Sequence, residues 1–536
     1  MDVRQTMNRL TLRQKIAQTF LQYYQGYEDL PERLVALNQK GELGNLLFFS
    51  GANVRDLEQL HTMTVQIQSH APQSPHGLPY LISIDQEGGQ LTAIHRGTTM
   101  FPGNMALGLA NDAALAQAQW HHVGKELRYA GINLCYAPVL DVAYDRRFGV
   151  PIVDNRMYSS LPEVVAEMGK GFIRGLRAEG ISACGKHFPG MRLTQEDTHF
   201  QCDSHPGDLK RLVEVELLPF RQAIEDGLDV LMTHHGVFPA VDGDYPASVS
   251  KKWMDYLRFE LGFQGLVVTD DLIMGAIRSQ YGDAESVILA LNAGADLLMH
   301  TALSDTYVDI IEKAVAEGRV SVARIDEACH RVLTHKAKYC TEIPSVPAFA
   351  KKDGDAVARK IAQKALWCTK GDPGLFPLKL VPDRQVGIIF ANPARLVMSD
   401  AINLYDPLSL KQTLHRLTGH PLVKEAFLPW RPTHMEQVSA GDIAFITDFC
   451  LFTTVNAYAF EEQIETLKYT RQICPNKIIV GIATRSPDDA PLLAPYCDAV
   501  IVTGGLSQVT LDALVEALFI TGFPAPESAP LRPERV

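Results

Sequence analysis

The chain has 536 residues, 46% of them apolar and 21% charged, an ordinary globular composition with length for two or more domains. A formal net charge of −12 removes the electrostatic case for a nucleic-acid or anionic-membrane partner and leaves small neutral or amphoteric substrates open. No apolar run approaches the ~20 residues that span a bilayer, the first residues carry no secretory pattern, and nine cysteines without a CxxC pair read as reduced thiols. The cytoplasm is the expected location.

From the start to about residue 340, short apolar runs rich in β-branched residues alternate with longer segments of helical period. Strands are predicted at Leu46–Phe49, Tyr80–Ile84, Ile132–Pro138, Val230–Thr233, Leu266–Thr269 and Leu297–Met299, with another short one after Gly180 that ends at Lys186 and His187. Helices are predicted at Asp112–Ala130, Pro162–Ala178, Lys210–Asp226 and Asp283–Ala293. Repeated β/α alternation over this length favours a TIM-like (β/α)8 barrel, with an open doubly wound sheet as the fallback. Polar residues stand where a barrel gathers its chemistry, at the strand ends. Asp85-Gln86-Glu87-Gly88-Gly89 follows Ile84, Asp141 follows Leu140, His234-His235 follows Thr233, and Asp270-Asp271 follows Thr269.

Residues 342–354 contain two prolines and adjacent lysines, lack an apolar period and read as a linker between a barrel domain, 1–341, and a smaller α/β sandwich domain, 355–536. The second domain opens on a predicted helix from Asp355 to Leu366. Buried strands are predicted at Val386–Phe390, Ile443–Thr447, Ile478–Ile482 and Val500–Thr503, and Gly504-Gly505 after the last is a weak signal for a nucleotide site.

Successive strand side chains point to opposite faces, so of Asp270 and Asp271 one should enter the barrel while the other turns away and caps the helix that follows. His199 lies two residues after Asp197, close enough for the carboxylate to orient the imidazole and raise its basicity, a plausible general acid/base pair near neutral pH. Lys186 and His187 can donate hydrogen bonds to sugar hydroxyls, and a strand lysine can also form a Schiff base. His187, His199, His234, His235 and Asp270 raise the question of a metal, but the chain has neither HxH nor HExxH, so no metal and no cofactor are expected.

These residues lie in runs that together resemble glycoside hydrolase family 3, in its bacterial β-N-acetylhexosaminidase branch. The runs are LTLRQKIAQ at 10–18, IDQEGGQL at 84–91, FPGNMALG at 101–108, APVLDV at 137–142, KHFPG at 186–190 and DTH at 197–199. YPASVS at 245–250, LGFQGLVVTDDLIM at 261–274 and LNAGADLL at 291–298 complete the series. The resemblance covers most of the first 340 residues, and the remainder is similar to the α/β sandwich of the family's two-domain members. It implies Asp270 as nucleophile, His199 as proton carrier and Asp197 as its orienting partner, with Asp85, Arg156, Lys186 and His187 binding sugar.

The activity implied is that of a retaining exo-β-glycosidase, first a β-N-acetylglucosaminidase (β-N-acetylhexosaminidase), acting on small glycosides or cell-wall-derived fragments through a covalent glycosyl-aspartate. The expected partner is a small carbohydrate, with no nucleic acid or membrane, and the sequence leaves the oligomeric state open. Retaining enzymes usually employ two carboxyl groups. A neutral histidine repels an incoming anion less than a carboxylate would, which keeps phosphate in view as an acceptor beside water. Two departures from the branch pattern stand out: Met191-Arg192 stand where it has His-Gly, and Ala93 stands where it has a sugar-contacting arginine, with His95 and Arg96 the nearby candidates to replace it. Other readings are a family 3 β-glucosidase or glycoside phosphorylase, a Schiff-base lyase built on Lys186, and a catalytically inactive sugar-binding protein.

Overall fold

The computed structural model describes residues 1–143, 156–191, 198, 200–303, 305–391, 408–428, 449–455 and 460–523. Eight parallel strands follow one another in sequence: β1 Phe20–Tyr23, β2 Asn45–Phe48, β3 Leu81–Ile84, β4 Leu134–Cys135, β5 Ser182–Phe188, β6 Val230–Thr233, β7 Leu266–Thr269 and β8 Leu298–Met299. From β1 to β7 each pairs with its sequence neighbours, and β8 pairs with β1. A parallel bridge between Val268 and Leu297 completes the ring.

The alternation of strand side chains builds two layers from one set of strands. Leu21, Leu47, Leu81, Leu134, Cys184, Val230, Leu266 and Met299, one from each strand, form a single apolar cluster that fills the barrel. Their neighbours Phe20, Leu46, Ile82, Cys135, Ala183, Leu231, Val267 and Leu298 belong to the larger core that includes the surrounding helices. With both faces covered, β2, β3, β6 and β7 are buried at every residue, which is why they read as continuous apolar runs.

Several elements differ from expectation for local reasons. β1 begins only two residues after helix Leu12–Gln18, without turn residues to mark it. The predicted helix Lys210–Asp226 is two helices, Leu209–Glu214 and Leu217–Glu225. Pro219 accounts for the break, because its ring has no N–H and crowds the carbonyl of Val215. The helix predicted from Asp283 starts at Gly275 and is interrupted at Gly282, φ 68° and ψ 175°.

The predicted linker is shorter than residues 342–354, since a helix already starts at Lys351 and runs to Ala365. Ala358, Ile361, Ala362 and Ala365 repeat at helical spacing and are buried. The polar side reaches both halves of the chain: Lys364 pairs with Asp112 at 2.8 Å and Arg359 with Glu516 at 2.6 Å. Beyond it lies a six-stranded sheet of β9 Trp367–Lys370, β10 Val386–Ala391, β11 Val423–Leu428, β12 Phe449–Thr454, β13 Ile478–Ala483 and β14 Ala499–Val502, in the spatial order β9-β14-β13-β12-β10-β11. All pairs are parallel except β9 with β14. The strand predicted at 443–447 lies outside the described residues. No described helix is long and apolar enough to cross a membrane.

Gly504-Gly505 does not form an open phosphate cradle. A Cβ on Gly505 would stand 2.2 Å from the carbonyl oxygen of Pro102, and one on Gly504 3.1 Å from the Ala106 backbone. The pair lets the second sheet lie against the barrel.

Candidate active site

The C-terminal ends of β3, β5, β6 and β7 bring four polar segments to one mouth of the barrel, and the first is organised around a lysine. Lys186, in β5, is 2% exposed, and its Nζ lies 2.6 Å from Asp85 Oδ1 and 2.7 Å from Glu87 Oε1. Arg156 closes on the same Glu87 with both arms of its fork, Nε to Oε2 at 2.9 Å and Nη2 to Oε1 at 2.7 Å. Burial pushes the Glu87 carboxyl up, but Arg156 and Lys186 outweigh it and hold it down at about 2. Burial likewise opposes the Lys186 charge, and Asp85 and Glu87 outweigh it, so the ammonium is held above its ordinary value. Asp85 keeps the most open side chain of the four, 22% exposed against 3% for Lys186, 13% for Arg156 and 1% for Glu87. A doubly paired ammonium is a poor amine nucleophile, and the Schiff-base reading loses its reagent.

His187, next along β5, is fixed by one carboxylate oxygen. Asp141 Oδ2 lies 2.7 Å from its Nδ1 and accepts its backbone N–H at 3.1 Å. This places a ring proton on Nδ1 and leaves Nε2 for a ligand, to which it donates when the ring carries its second proton.

The Asp270-Asp271 doublet divides as strand geometry requires. Asp270 Oδ1 accepts the Asp271 amide at 2.8 Å. Burial works against its charge, but His187 first, then His235, the amide and Lys186 overcome burial and hold the carboxyl well below the usual range. Asp271 turns to the backbone instead, taking the Ile273 N–H at 3.2 Å, the Thr301 N–H at 3.3 Å and the Thr301 hydroxyl at 3.0 Å. Its carboxyl is pushed up to about 6 by burial, with these donors pulling the other way. The N-cap of helix Gly275–Ala293 is Met274, so Asp271 ties the β7 and β8 loops together and does not cap that helix.

His234 and His235 follow β6. Gly236 N–H donates to His234 Nδ1 at 2.9 Å, which puts the neutral ring's proton on Nε2, an atom with no hydrogen-bond partner among the described residues. Burial, and then the proximity of His187 and His235, drive the His234 pKa well down. His235 Nδ1 meets the Ser248 hydroxyl at 2.8 Å, and its Nε2 meets the Asp271 carbonyl at 3.1 Å. Among the described residues no three His, Cys, Asp or Glu side chains are grouped to hold a metal ion.

Of the residues singled out in the sequence, Asp85, Arg156, Lys186, His187 and Asp270 come together, while Asp197 and His199 lie outside the described residues. Thr198, between them, is buried, and its carbonyl accepts the Ala276 N–H at 3.2 Å, six residues beyond Asp270. Ala93 is buried, and its N–H donates to the Asp85 carbonyl at 3.2 Å. His95 is buried near it and Arg96 is exposed. Met191 packs against Met105, Val139, Ala143 and Met157, an apolar use for the position. Sequence reasoning gave Glu87 and Asp141 no role. The signal for Glu87 was its two-residue offset from Asp85, which puts both on one side of an extended chain.

Residues 11–335 match the family model described as "Glycosyl hydrolase family 3 N terminal domain". The chain is 30% identical over 394 residues to Beta-hexosaminidase A of Pseudoalteromonas piscicida, covering 66% of this chain and 65% of that protein, a little under two thirds of its length. It is 35% identical over 269 residues to a Beta-hexosaminidase of Stenotrophomonas maltophilia, covering 48% of this chain and 77% of the relative. Among solved structures, a glycoside hydrolase family 3 beta-N-acetylglucosaminidase from Paenibacillus sp. superposes with a TM-score of 0.84 at 29% identity, over 95% of this chain and 97% of that one.

Proposed function

The chain belongs to glycosyl hydrolase family 3, and on that premise we propose that it is a retaining exo-acting β-glycosidase, with N-acetylglucosaminides of small glycosides or cell-wall-derived fragments as its substrates. The observation that carries this reading is the state of Asp270: a carboxylate at the end of β7, kept ionised against burial by His187, His235, Lys186 and the Asp271 amide. An anion so held is available to attack an electrophilic carbon and cannot serve as the acid. The choice of sugar rests on the relatives named beta-hexosaminidase and on the similar beta-N-acetylglucosaminidase structure.

In this reading Asp85 accepts hydrogen bonds from sugar hydroxyls, Lys186 and His187 donate to them, and Arg156 acts through Glu87. Asp270 attacks the anomeric carbon while His199, oriented by Asp197, gives its proton to the departing oxygen. Water that His199 then deprotonates cleaves the glycosyl ester, so configuration is retained over two inversions. The hydrogen bond from Ala276 to the carbonyl of Thr198 supports this pairing, because it ties the residue between Asp197 and His199 to the helix that follows Asp270. The Nε2 of His234, without a partner among the described residues, is a further donor for a bound hydroxyl. Catalysis is assigned to the barrel unit, residues 1–341. Nine cysteines, none in a disulfide, support a cytoplasmic location.

The test is to trap the ester. A 5-fluoro β-N-acetylglucosaminide with an activated leaving group slows both chemical steps but leaves formation of the intermediate faster than its hydrolysis. Intact mass should rise by one glycosyl unit, and peptide mapping should place the unit on Asp270. A label on another carboxylate, or turnover with inversion, would overturn the assignment. A parallel panel with the aryl glucoside, with and without phosphate, separates the glucosidase and phosphorylase readings.

A further inference from the structure

The hairpin that carries Asp85 and Glu87 into the site is held from outside the barrel. Its strands, Gln86–Gly88 and Leu91–Thr92, pair antiparallel, and Gln90 lies at the turn between them. Gln90 is buried, and its side-chain oxygen accepts a hydrogen bond from Arg485 Nη2. Arg485 comes from the second sheet, two residues beyond β13, and is itself 2% exposed.

Glycines bring the neighbouring backbones close around this contact. A Cβ on Gly89 would lie 2.6 Å from Gly103 Cα, so the hairpin turn rests directly on the backbone of the next loop. That loop is covered in turn by Gly504 and Gly505, which follow β14, the neighbour of β13. The C-terminal ends of two adjacent strands of the second sheet thus press on 102–106 and reach past it to Gln90. Helix Lys351–Ala365 ties the same two bodies together through Lys364–Asp112 and Arg359–Glu516.

We propose that Arg485 is a positioning residue for sugar binding, through which the second domain sets the hairpin that presents Asp85 and Glu87. Resting on the glycosidase reading for its kinetic part only, this gives the second domain a role in substrate affinity and none in the acid/base step. A buried guanidinium bonded to a carboxamide holds the turn from the side of the second sheet, and Asp85 stands five residues before Gln90. Losing the bond should loosen the hairpin, lower the occupancy of the binding geometry and leave the chemistry of bound substrate intact.

Arg485→Met and Arg485→Lys separate this from simple domain adhesion. Hydrogen exchange read by mass spectrometry should quicken in peptides spanning 86–94 in Arg485→Met, including the Ala93 and Ile94 amides that close on Asp85 and Gln86, while β6 and β7 peptides stay unchanged. KM for the aryl N-acetylglucosaminide should rise about tenfold with kcat within twofold, and Arg485→Lys should restore part of the affinity. Gln90→Met removes the acceptor from the barrel side, should reproduce the effect, and when combined with Arg485→Met should add little further loss. Unchanged exchange in the hairpin, or quickened exchange with an unchanged KM, overturns the proposal. A wild type inactive on every β-glycoside, together with quickened exchange in Arg485→Met, leaves the brace standing and removes the glycosidase reading instead.

Discussion

Lys186 and Glu87 meet at 2.7 Å with both side chains shielded from water, 3% and 1% exposed. Taking one ion from such a pair typically costs about 3–5 kcal/mol, because its partner stays buried and uncompensated. Glu87→Gln also strips Arg156 of its bidentate acceptor. Either Glu87→Gln or Lys186→Met should therefore lower the urea midpoint strongly, and the double variant should lose less than the sum. An additive double variant would mean that the two charges do not support each other.

Glu87 and Asp271 give opposite pH dependences. The native Glu87 carboxyl is pulled from 4.5 to about 2, so the unfolded chain takes up its proton first as pH falls. Its contribution, about 3 kcal/mol at 1.36 kcal/mol per pKa unit, is present above pH 4.5 and lost as pH falls towards 2. Asp271 moves from 3.8 to about 6, so its native form keeps the proton longer. That contribution is present below pH 3.8 and is lost as pH rises through 6. Urea titrations at pH 3, 5 and 7 should show the gap between wild type and Glu87→Gln narrowing at acid pH. Asp271→Asn should flatten the decline between pH 4 and 6, and parallel curves for all three proteins would refute both signs.

Asp270→Asn keeps volume and removes the anion, so kcat should drop by at least roughly 10³-fold in a protein that unfolds at an unchanged midpoint. Asp271→Asn retains one oxygen for the Ile273 and Thr301 amides and turns an NH₂ towards the Thr301 hydroxyl, a loss of about tenfold in kcat. Steady-state kinetics on one aryl glycoside compares the two. Equal losses would mean that Asp271 also takes part in the chemistry.

The barrel strands from β2 to β8 were legible because both their faces are buried, which turns them into apolar runs such as Leu266–Thr269 and Val230–Thr233, whereas β9, β11 and β12 of the second sheet were not. β1 was not, because Phe20–Tyr23 continues almost directly from a helix and carries no turn residue. The site residues announced themselves as polar groups at strand ends. What joins them did not: whether Arg156 faces sugar or Glu87 depends on a contact 69 residues away, and whether a GlyGly pair cradles phosphate or admits a neighbouring domain depends on one from Gly505 to Pro102, at the other end of the chain. Arg485 carried no local signal at all, since a single arginine after a strand is normally a solvated side chain.

The proton carrier can be tested without further structure. If His199 protonates the leaving oxygen, His199→Ala should barely slow bond cleavage for aryl glycosides whose phenols are acidic, because those leave as anions. Its effect on kcat/KM should grow to about 10²–10⁴-fold for alkyl or sugar leaving groups, the range typical of general acid catalysis. Asp197→Ala should show the same trend more weakly, since it acts through the imidazole. Plotting log kcat/KM against leaving-group pKa checks this: the slope should be steeper for both variants than for wild type. Parallel lines would reduce His199 to a binding residue and send the search for the acid to another group.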